Sequence, residues 1–475
     1  GWGNRLNVPF GDTEYRYRNG VPAEIFAYNS PVKPQQDIAS AAGFIQDRVT
    51  FRRVSLNAGI RYGRYKGWLP EQTGGGGVWM PETVFPKLET GFVWANFAPR
   101  VGVAVKLTED GKNVAKASVG QFYDELFTGD FELINPNAFN SIATYRWFGD
   151  LNGNRKVDAN EYDPSPLSVF AARSNRIDPD FKQPRIDEFT VAFERELFPN
   201  VGASATWVQR RFTNNWADVN VGIPLTGYAP ATLPDAGPDN IVGTGDDRTI
   251  TMYNVLPEFR GRDAFVRQTV PGDNMNYKAL ELSLGKRMAN NWQLTGSYTW
   301  SRAAGVIISG NRKTIANPTD PNASLDSHKY GRDATDQPHA FKMLVNYVAP
   351  LGFNVGGNIQ LLSGLPVDRT FRGSLSQGST TIRAEPRGTY RADALKLVNV
   401  KVDRPFKFSR IKVGTFVELH NLLNSSSAVG IATLTQAFAS QAAFDAAARG
   451  NTTYFGRVTE IVVPRIAKLG IKIDF

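Results

Sequence analysis

The sequence predicts an all-β protein, a transmembrane antiparallel β-barrel with long extracellular loops, from three observations. Apolar and polar residues alternate at a period of two in stretch after stretch, which gives each stretch one greasy and one wet face. Very short connections between the stretches alternate with very long ones, the habit of outer-membrane barrels, whose periplasmic turns are short and whose external loops are long. The chain also finishes on such a strand, with Leu469, Ile471, Ile473 and Phe475 on one side and Lys468, Gly470, Lys472 and Asp474 on the other. Ordinary chain ends are polar and frayed.

In chain order, one or two strands are expected before residue 40, then one near 44–51 closed by a tight turn at Arg52–Arg53. VSLNAGIRY places Val54, Leu56, Ala58, Ile60 and Tyr62 together, and a long segment follows to about residue 96. PRVGVAVKL aligns Val101, Val103, Val105 and Leu107. TEDGKN then carries the Asp-Gly signal of a hairpin, and after its second strand a loop covers about 127 to 184. EFTVAFE (Phe189, Val191, Phe193) ends at the turn FPN, and the next loop covers about 212 to 275. MANN leads into WQLTGSYTW, which sets Trp292, Leu294, Gly296, Tyr298 and Trp300 against Gln293, Thr295, Ser297 and Thr299, before a loop to about 338. FKMLVNY and FNVGGNIQL flank APLG, a loop runs on to about 394, VNVKVD and IKVGTFVEL flank PFKFSR, and a last loop ends near 456.

Each stretch is long enough for a strand of about nine to eleven residues, the length that crosses a membrane with tilt. The total is about fourteen strands, an even number as bacterial barrels have. In a closed barrel the last strand is expected to pair with the first. A soluble sandwich or propeller would instead have short links at both ends of its strands.

Composition fits and also excludes. Mean hydropathy is −0.31, and no run approaches the ~18 apolar residues of a membrane helix, but alternating strands escape such a scan. Cysteine is absent, so there is no disulfide framework or thiolate metal site. The +9 formal charge is scattered among acids, which marks solvated faces rather than a nucleic-acid partner. Enzymatic signals are missing: the only histidines are His328, His339 and His420, with no nucleophile elbow, zinc helix, P-loop or dinucleotide fingerprint, so no catalytic residue is assigned. The chain opens GWGNRLNVPF, without an initiator Met or signal-peptide pattern.

Several phrases together carry a family resemblance: FIQDRVTFRRVSLNAGIRYG, APRVGVAVKLTEDGKNVAKASVGQFYD, YKALELSLGKRMANNWQLTGSYTWSRA, FVELHNLLN and VPRIAKLGIKIDF. From about residue 41 to 475 the chain resembles the barrel of TonB-dependent outer-membrane transporters, most of all the Oar-like subgroup with its carboxypeptidase-regulatory-like N-terminal domain. The resemblance implies a Gram-negative outer membrane, a TonB-type energy-coupling complex as partner, and active uptake of a scarce nutrient through a 22-stranded barrel. No plug is legible and too few strands are visible, so residues 1–475 are expected to be the C-terminal part of a longer barrel, with plug and N-terminal domain outside this chain. If the chain were complete, a passive porin-like channel would follow; a structural or adhesive surface barrel is the other alternative. Lys468, Gly470, Ile473 and Phe475 resemble the C-terminal insertion signal read by the barrel-assembly machinery, and outer-membrane lipid is the other expected partner.

One loop carries a metal-like pattern. In DLNGNRKVDANE, Asp150, Asn152, Asn154, Lys156 (through its carbonyl), Asp158 and Glu161 hold the ligand positions of a twelve-residue calcium loop, and Val157 fills the apolar eighth place. The pattern resembles EF-hand and dockerin-type loops but has Arg155 where the turn glycine belongs. Structural Ca²⁺ that stiffens an external loop is one expectation; a metal-free Asx-turn loop is the other. A second acidic stretch, DAGPDNIVGTGDD (Asp235, Asp239, Asp246, Asp247), matches no ligand template. Trp292, Trp300, Tyr347, Phe353, Tyr62 and Phe475 are expected in interfacial girdles, and the loop residues Trp147 and Trp216 are weaker candidates for ligand stacking.

Overall fold

A computed structural model describes residues 12–474 except 19, 140, 170–174, 273, 307, 310–313, 325–328 and 409–410. One antiparallel sheet of fourteen strands dominates it. Thirteen strands form an uninterrupted meander: β1 (Asp37–Phe51), β2 (Val54–Leu69), β3 (Leu88–Lys106), β4 (Asn113–Tyr123), β5 (Arg185–Phe198), β6 (Val201–Thr213), β7 (Met275–Ala289), β8 (Trp292–Val306), β9 (His339–Val348), β10 (Asn354–Leu362), β11 (Leu395–Phe408), β12 (Ile411–His420) and β13 (Ile466–Asp474). The fourteenth, Tyr330–Arg332, is a short addition to the loop end of β8.

The register makes the alternation a property of the whole wall. Val49, Leu56, Val103, Ala117, Val191, Trp207, Leu280 and Trp300 are successive direct partners across eight strands. The neighbouring row, Thr50, Ser55, Ala104, Lys116, Ala192, Thr206, Glu281 and Thr299, points the other way. A one-residue slip anywhere would exchange the two faces. The apolar face packs on nothing in the chain: Ile45 is 72% and Leu469 81% exposed. An apolar face left so bare belongs in hydrocarbon.

Turns and loops follow the expected rhythm. Left-handed residues close the short end: Arg52 (φ 52°), Asn200 (φ 70°), and Asn290 and Asn291 (φ 53° and 63°), the conformation that asparagine tolerates well. Trp292 and Tyr347 lie side by side at that end, and Trp300 sits eight residues up the same strand, about 26 Å along it. With Tyr62 against Phe97 (centroids 4.9 Å apart) and Trp207 near Trp300 (6.3 Å), these residues trace the two aromatic girdles that bound an apolar band.

Three expectations need correction. The strands before residue 40, Thr13–Arg18 and Val21–Tyr28, are too short to span and join Ser141–Arg146 and Ser168–Val169 in a separate sheet on the loop side. The segment read as a loop from 64 to 96 begins and ends in strand, because β2 runs on to Leu69 and β3 starts at Leu88, with the short hairpin Gln72–Gly74 and Thr83–Phe85 between them; the inner face of β3 is covered there by loops. Finally, β1 and β13 pair only with β2 and β12, and not with each other, among the described residues. Thirteen alternating strands bring first and last in parallel, so the antiparallel ladder cannot close on itself.

The last strand explains one residue of the proposed insertion signal. Gly470 lies opposite Phe416 on the inner face, and a Cβ there would collide with the Phe416 ring. Lys468 lies opposite Glu418 and Ile473 opposite Val413; Phe475 is outside the described residues. Gly470→Val should therefore cost about 1–3 kcal/mol through overpacking. It should lower the temperature at which the folded, fast-migrating electrophoretic band is lost, and adding Phe416→Leu should restore part of that shift.

Candidate functional site

The candidate site comprises the inner wall and the loop assembly above it. On β3 the inward residues Phe92, Trp94 and Ala98 are buried while the outward Val93 and Phe97 are exposed. What covers them is loop: Leu126, Phe131, Ile177, Phe181 and Trp216 complete the same cluster. Trp94 Nε1 donates to the Phe181 carbonyl at 2.8 Å, and Asn96 Nδ2 to Gln183 Oε1 at 2.8 Å. Arg267 stacks 4.2 Å over Trp216, pairs with Asp218 at 2.7 Å and donates to the Gly129 carbonyl at 2.6 Å. Loop material therefore lines the lumen side of the mouth.

A second knot ties three loops together. Arg369, wholly buried, donates to both oxygens of Asp235 (2.8 and 2.6 Å), to Glu385 (2.7 Å), and to Gly237 O and Thr435 Oγ1 (both 3.1 Å). Arg248 adds bonds to Asp235 (3.0 Å) and Glu385 (2.5 Å). Burial pushes the Asp235 carboxyl up, but hydrogen bonds and charge from Arg369 and Arg248 outweigh it, and the group titrates below its ordinary value of 3.8. Residues 228–255, 366–391 and 435 are thus held as one body. The acidic stretch around Asp235 is accordingly an ion-pair and turn device: Asp246 accepts from the Asp239 amide at 3.2 Å and Asp247 from the Gly243 amide at 2.6 Å.

The 150–161 loop folds in the order its sequence suggests. Arg155, at the glycine place, has φ 59°, so an arginine takes the left-handed turn. Asp150 Oδ2 accepts from the Arg155 amide (3.0 Å), Asn152 Oδ1 from Asn154 (3.0 Å) and Asn154 Oδ1 from Lys156 (2.7 Å). Glu161, fully buried, accepts from the Leu151 and Asp158 amides (2.8 and 3.2 Å). Asp150 Oδ1 is buried without a partner. Both Asn152 and Asn154 turn their amide N–H groups onto Asp158 Oδ2 at 2.7 Å, where a cation would otherwise draw oxygens. The donor types and their order fit a hard cation, but among the described residues no three carboxylate or imidazole groups are gathered to hold one as they stand.

The loop tryptophans are not stacking platforms. Trp147 is 3% exposed, against Tyr15 and Tyr17, and Trp216 is 6% exposed under Arg267. His339 Nδ1 lies 2.7 Å from the Tyr298 hydroxyl, and His420 is 3.4 Å from Glu418. His328 lies outside the described residues.

A family model agrees with this architecture. Residues 19–458 match the family model "Outer membrane beta barrel domain". The TonB-dependent transporter Oar of Myxococcus xanthus is 22% identical over 397 residues, covering 74% of this chain and 32% of that protein. The outer membrane transporter YddB of Escherichia coli aligns with a TM-score of 0.49 at 10% identity, over 94% of this chain and 54% of its own. The siderophore receptor PiuA of Acinetobacter baumannii aligns at 0.46 and 10% identity, over 95% and 44%. The chain thus spans about a third of its curated relative and about half of these solved chains.

Removing Arg369 should loosen the loops and leave the wall intact. Arg369→Met strands the buried Asp235 and the partly buried Glu385 with only Arg248, at a cost of about 3 kcal/mol. Amide exchange should rise in 228–255 and 366–391 but not in β1–β13. Acid should act alike: a depressed carboxyl stabilises fully above 3.8 and loses that contribution as pH falls through its folded-state value, so exchange in these segments should quicken on acidification below that point.

Proposed function

The chain belongs to the outer membrane β-barrel domain family and lies in the Gram-negative outer membrane, and from this premise we propose that it is the barrel part of a transporter that takes up a scarce nutrient with energy from a TonB-type complex. The observation that carries this reading is the continuous meander with a bare apolar exterior, a polar interior and a mouth narrowed by folded loops.

Two open edges support a larger wall. Unpaired strand edges cannot stand in hydrocarbon, and only an odd number of further strands restores antiparallel closure. A 22-stranded wall of the transporter kind needs about nine, an odd number. We place those strands, and a plug that contacts the energy-coupling complex, outside the residues described. The same reading makes the last strand the substrate of the barrel-assembly machinery. We also propose Ca²⁺ as a structural ion of the 150–161 loop, held by Asp150, Asn152, Asn154, the Lys156 carbonyl, Asp158 and Glu161; when bound it would supply charge balance to three carboxylates that have no ion pair among the described residues.

Two experiments test these readings. Cells carrying the intact gene should accumulate a medium component that deletion cells do not, and collapse of the inner-membrane proton gradient should stop it. Gradient-independent equilibration would favour a passive channel, and no difference in uptake a structural barrel. For the loop, calcium should protect residues 150–161 from proteolysis, and Glu161→Gln should abolish that protection. Equal cleavage with calcium and with chelator would leave a metal-free Asx-turn loop.

A further inference from the structure

The outer wall changes character at the upper aromatic girdle. On β5–β8 the outward residues from Phe189 to Phe193, Ala203 to Trp207, Leu280 to Leu284 and Leu294 to Trp300 carry no charge. Immediately above them the same face carries Arg185, Asp187, Arg211, Lys278 and Arg302, four cations to one carboxylate. Burial confirms which face this is. Between these positions, Phe212 and Ala303 are buried against the loop residues Ala217, Val219 and Ile315, and Ala279 and Ser301 are buried too. Arg211, Lys278 and Arg302 are exposed. Their face looks away from the lumen, and β1–β4 and β9–β13 separate it from the two open edges. Neither a plug inside the wall nor strands added at β1 or β13 would cover it.

The charges are unfavourably placed as they stand. Lys278 and Arg302 are direct cross-strand partners, with Cβ atoms about 4.5–5.5 Å apart, and like charges directly opposite destabilise a sheet. On its other side Lys278 faces Gln209, and Arg211 is its diagonal neighbour. The carboxylates nearby are engaged elsewhere. Asp187, across from Arg211, accepts from Arg185 at 2.9 Å and from Gln121 at 3.1 Å. Asp336, which accepts from the Ala303 amide at 2.7 Å, is held by Arg391 at 2.5 Å. At comparable height on other strands the cations are answered or solitary: Lys66 pairs with Glu89 at 3.0 Å, Arg64 faces Ala41 and Lys396 faces Leu361. Two residues below the Lys278–Arg302 pair, about 7 Å along the strands, Trp207 and Trp300 stack with centroids 6.3 Å apart on either side of Leu280. A cationic cluster therefore sits directly over an aromatic floor, at the level where lipid headgroups meet the apolar band.

We propose that Arg211, Lys278 and Arg302 bind the phosphate-bearing headgroup of an outer-leaflet lipid, with Trp207, Leu280 and Trp300 against the apolar part of the same molecule. Guanidinium and ammonium groups both suit phosphate, and a phosphate set between Lys278 and Arg302 turns one repulsive contact into two attractive ones. The inference rests on the outer-membrane location, and not on transport or on the calcium loop.

The test uses the full-length protein in detergent, with lipid binding read by native mass spectrometry. The probes are bisphosphorylated lipid A, the same lipid stripped of both phosphates, and inorganic phosphate. The bisphosphorylated lipid should bind about tenfold or more tighter than the stripped one, and inorganic phosphate at matched ionic strength should not displace it. Lys278→Gln with Arg302→Gln should weaken binding about tenfold or more, whereas Arg64→Gln with Lys396→Gln, which removes the same charge at a similar height, should change it less than about twofold. Lys278→Glu sets opposite charges across the ladder. It should raise the temperature at which the folded, fast-migrating band is lost in lipid-free detergent and yet weaken lipid binding, a combination that a purely structural lysine would not give. Equal weakening by the two glutamine pairs, or equal binding of the stripped lipid, would overturn the proposal. Displacement by inorganic phosphate would also overturn it, leaving an anion site without a lipid. If the Lys278–Arg302 glutamine pair gives no folded band, Lys278→Glu decides, and undiminished lipid binding there overturns the proposal.

Discussion

Every other feature of this chain depends on one constraint: in hydrocarbon each backbone amide and carbonyl must find a partner inside the protein. The thirteen-strand meander meets it with direct neighbour-to-neighbour ladders, from Phe51–Val54 at one end to Asp474–Lys412 at the other. Where the constraint relaxes, the structure changes character. Above the membrane the strands give way to small mixed sheets, which include parallel pairs such as Arg176–Ile177 with Val266–Arg267.

The loops obey a different rule, that of a water-soluble domain. They bury their own core, Ile250 and Met252 under Ile382 for example, and they bury opposite charges together, as Arg369 with Asp235 and Glu385. A buried ion group of this kind contributes little net stability against an apolar replacement. Its effect is to fix which loops associate. Because three loops share Arg369 while others pack on the inner face of β3, the mouth is shaped by two separate contacts, one polar and one aromatic.

What could be read from sequence divides along the same line. Within the membrane the outward residues have no tertiary partner to satisfy, so Trp292-Leu294-Tyr298-Trp300 announces its strand without reference to anything distant. Turns were equally legible, Asp110–Gly111 and Asn290–Asn291 above all. The tops of β2 and β3 were not, because Phe92 and Trp94 face loop residues some ninety positions away, and nothing local marks them as strand. Asp235 could be given no role from sequence because its partner lies at 369, and a lone sequence offers no means of pairing them. Thr13–Tyr28 alternates well enough to pass for spans; only its partner Ser141–Arg146 shows that it belongs to a loop. The calcium-like spacing at 150–161 was readable, including the misplaced Arg155, whereas whether its carboxylates converge depends on side-chain positions that no spacing encodes.

The residues of the closing strand have a structural role whether or not they are also an insertion signal. Gly470 accepts the Phe416 ring, Lys468 stands across from Glu418, and Ile473 continues the outward row opposite Val413. These side chains are required in any case, because among the described residues the strand pairs with β12 alone, which sets its register. A ring seated over a glycine sets register more sharply than backbone pairing can, since a two-residue slip preserves the faces but leaves the ring on Lys468 or Lys472 instead of on an open site. With its register fixed in this way, the strand presents one defined unpaired ladder edge among the described residues.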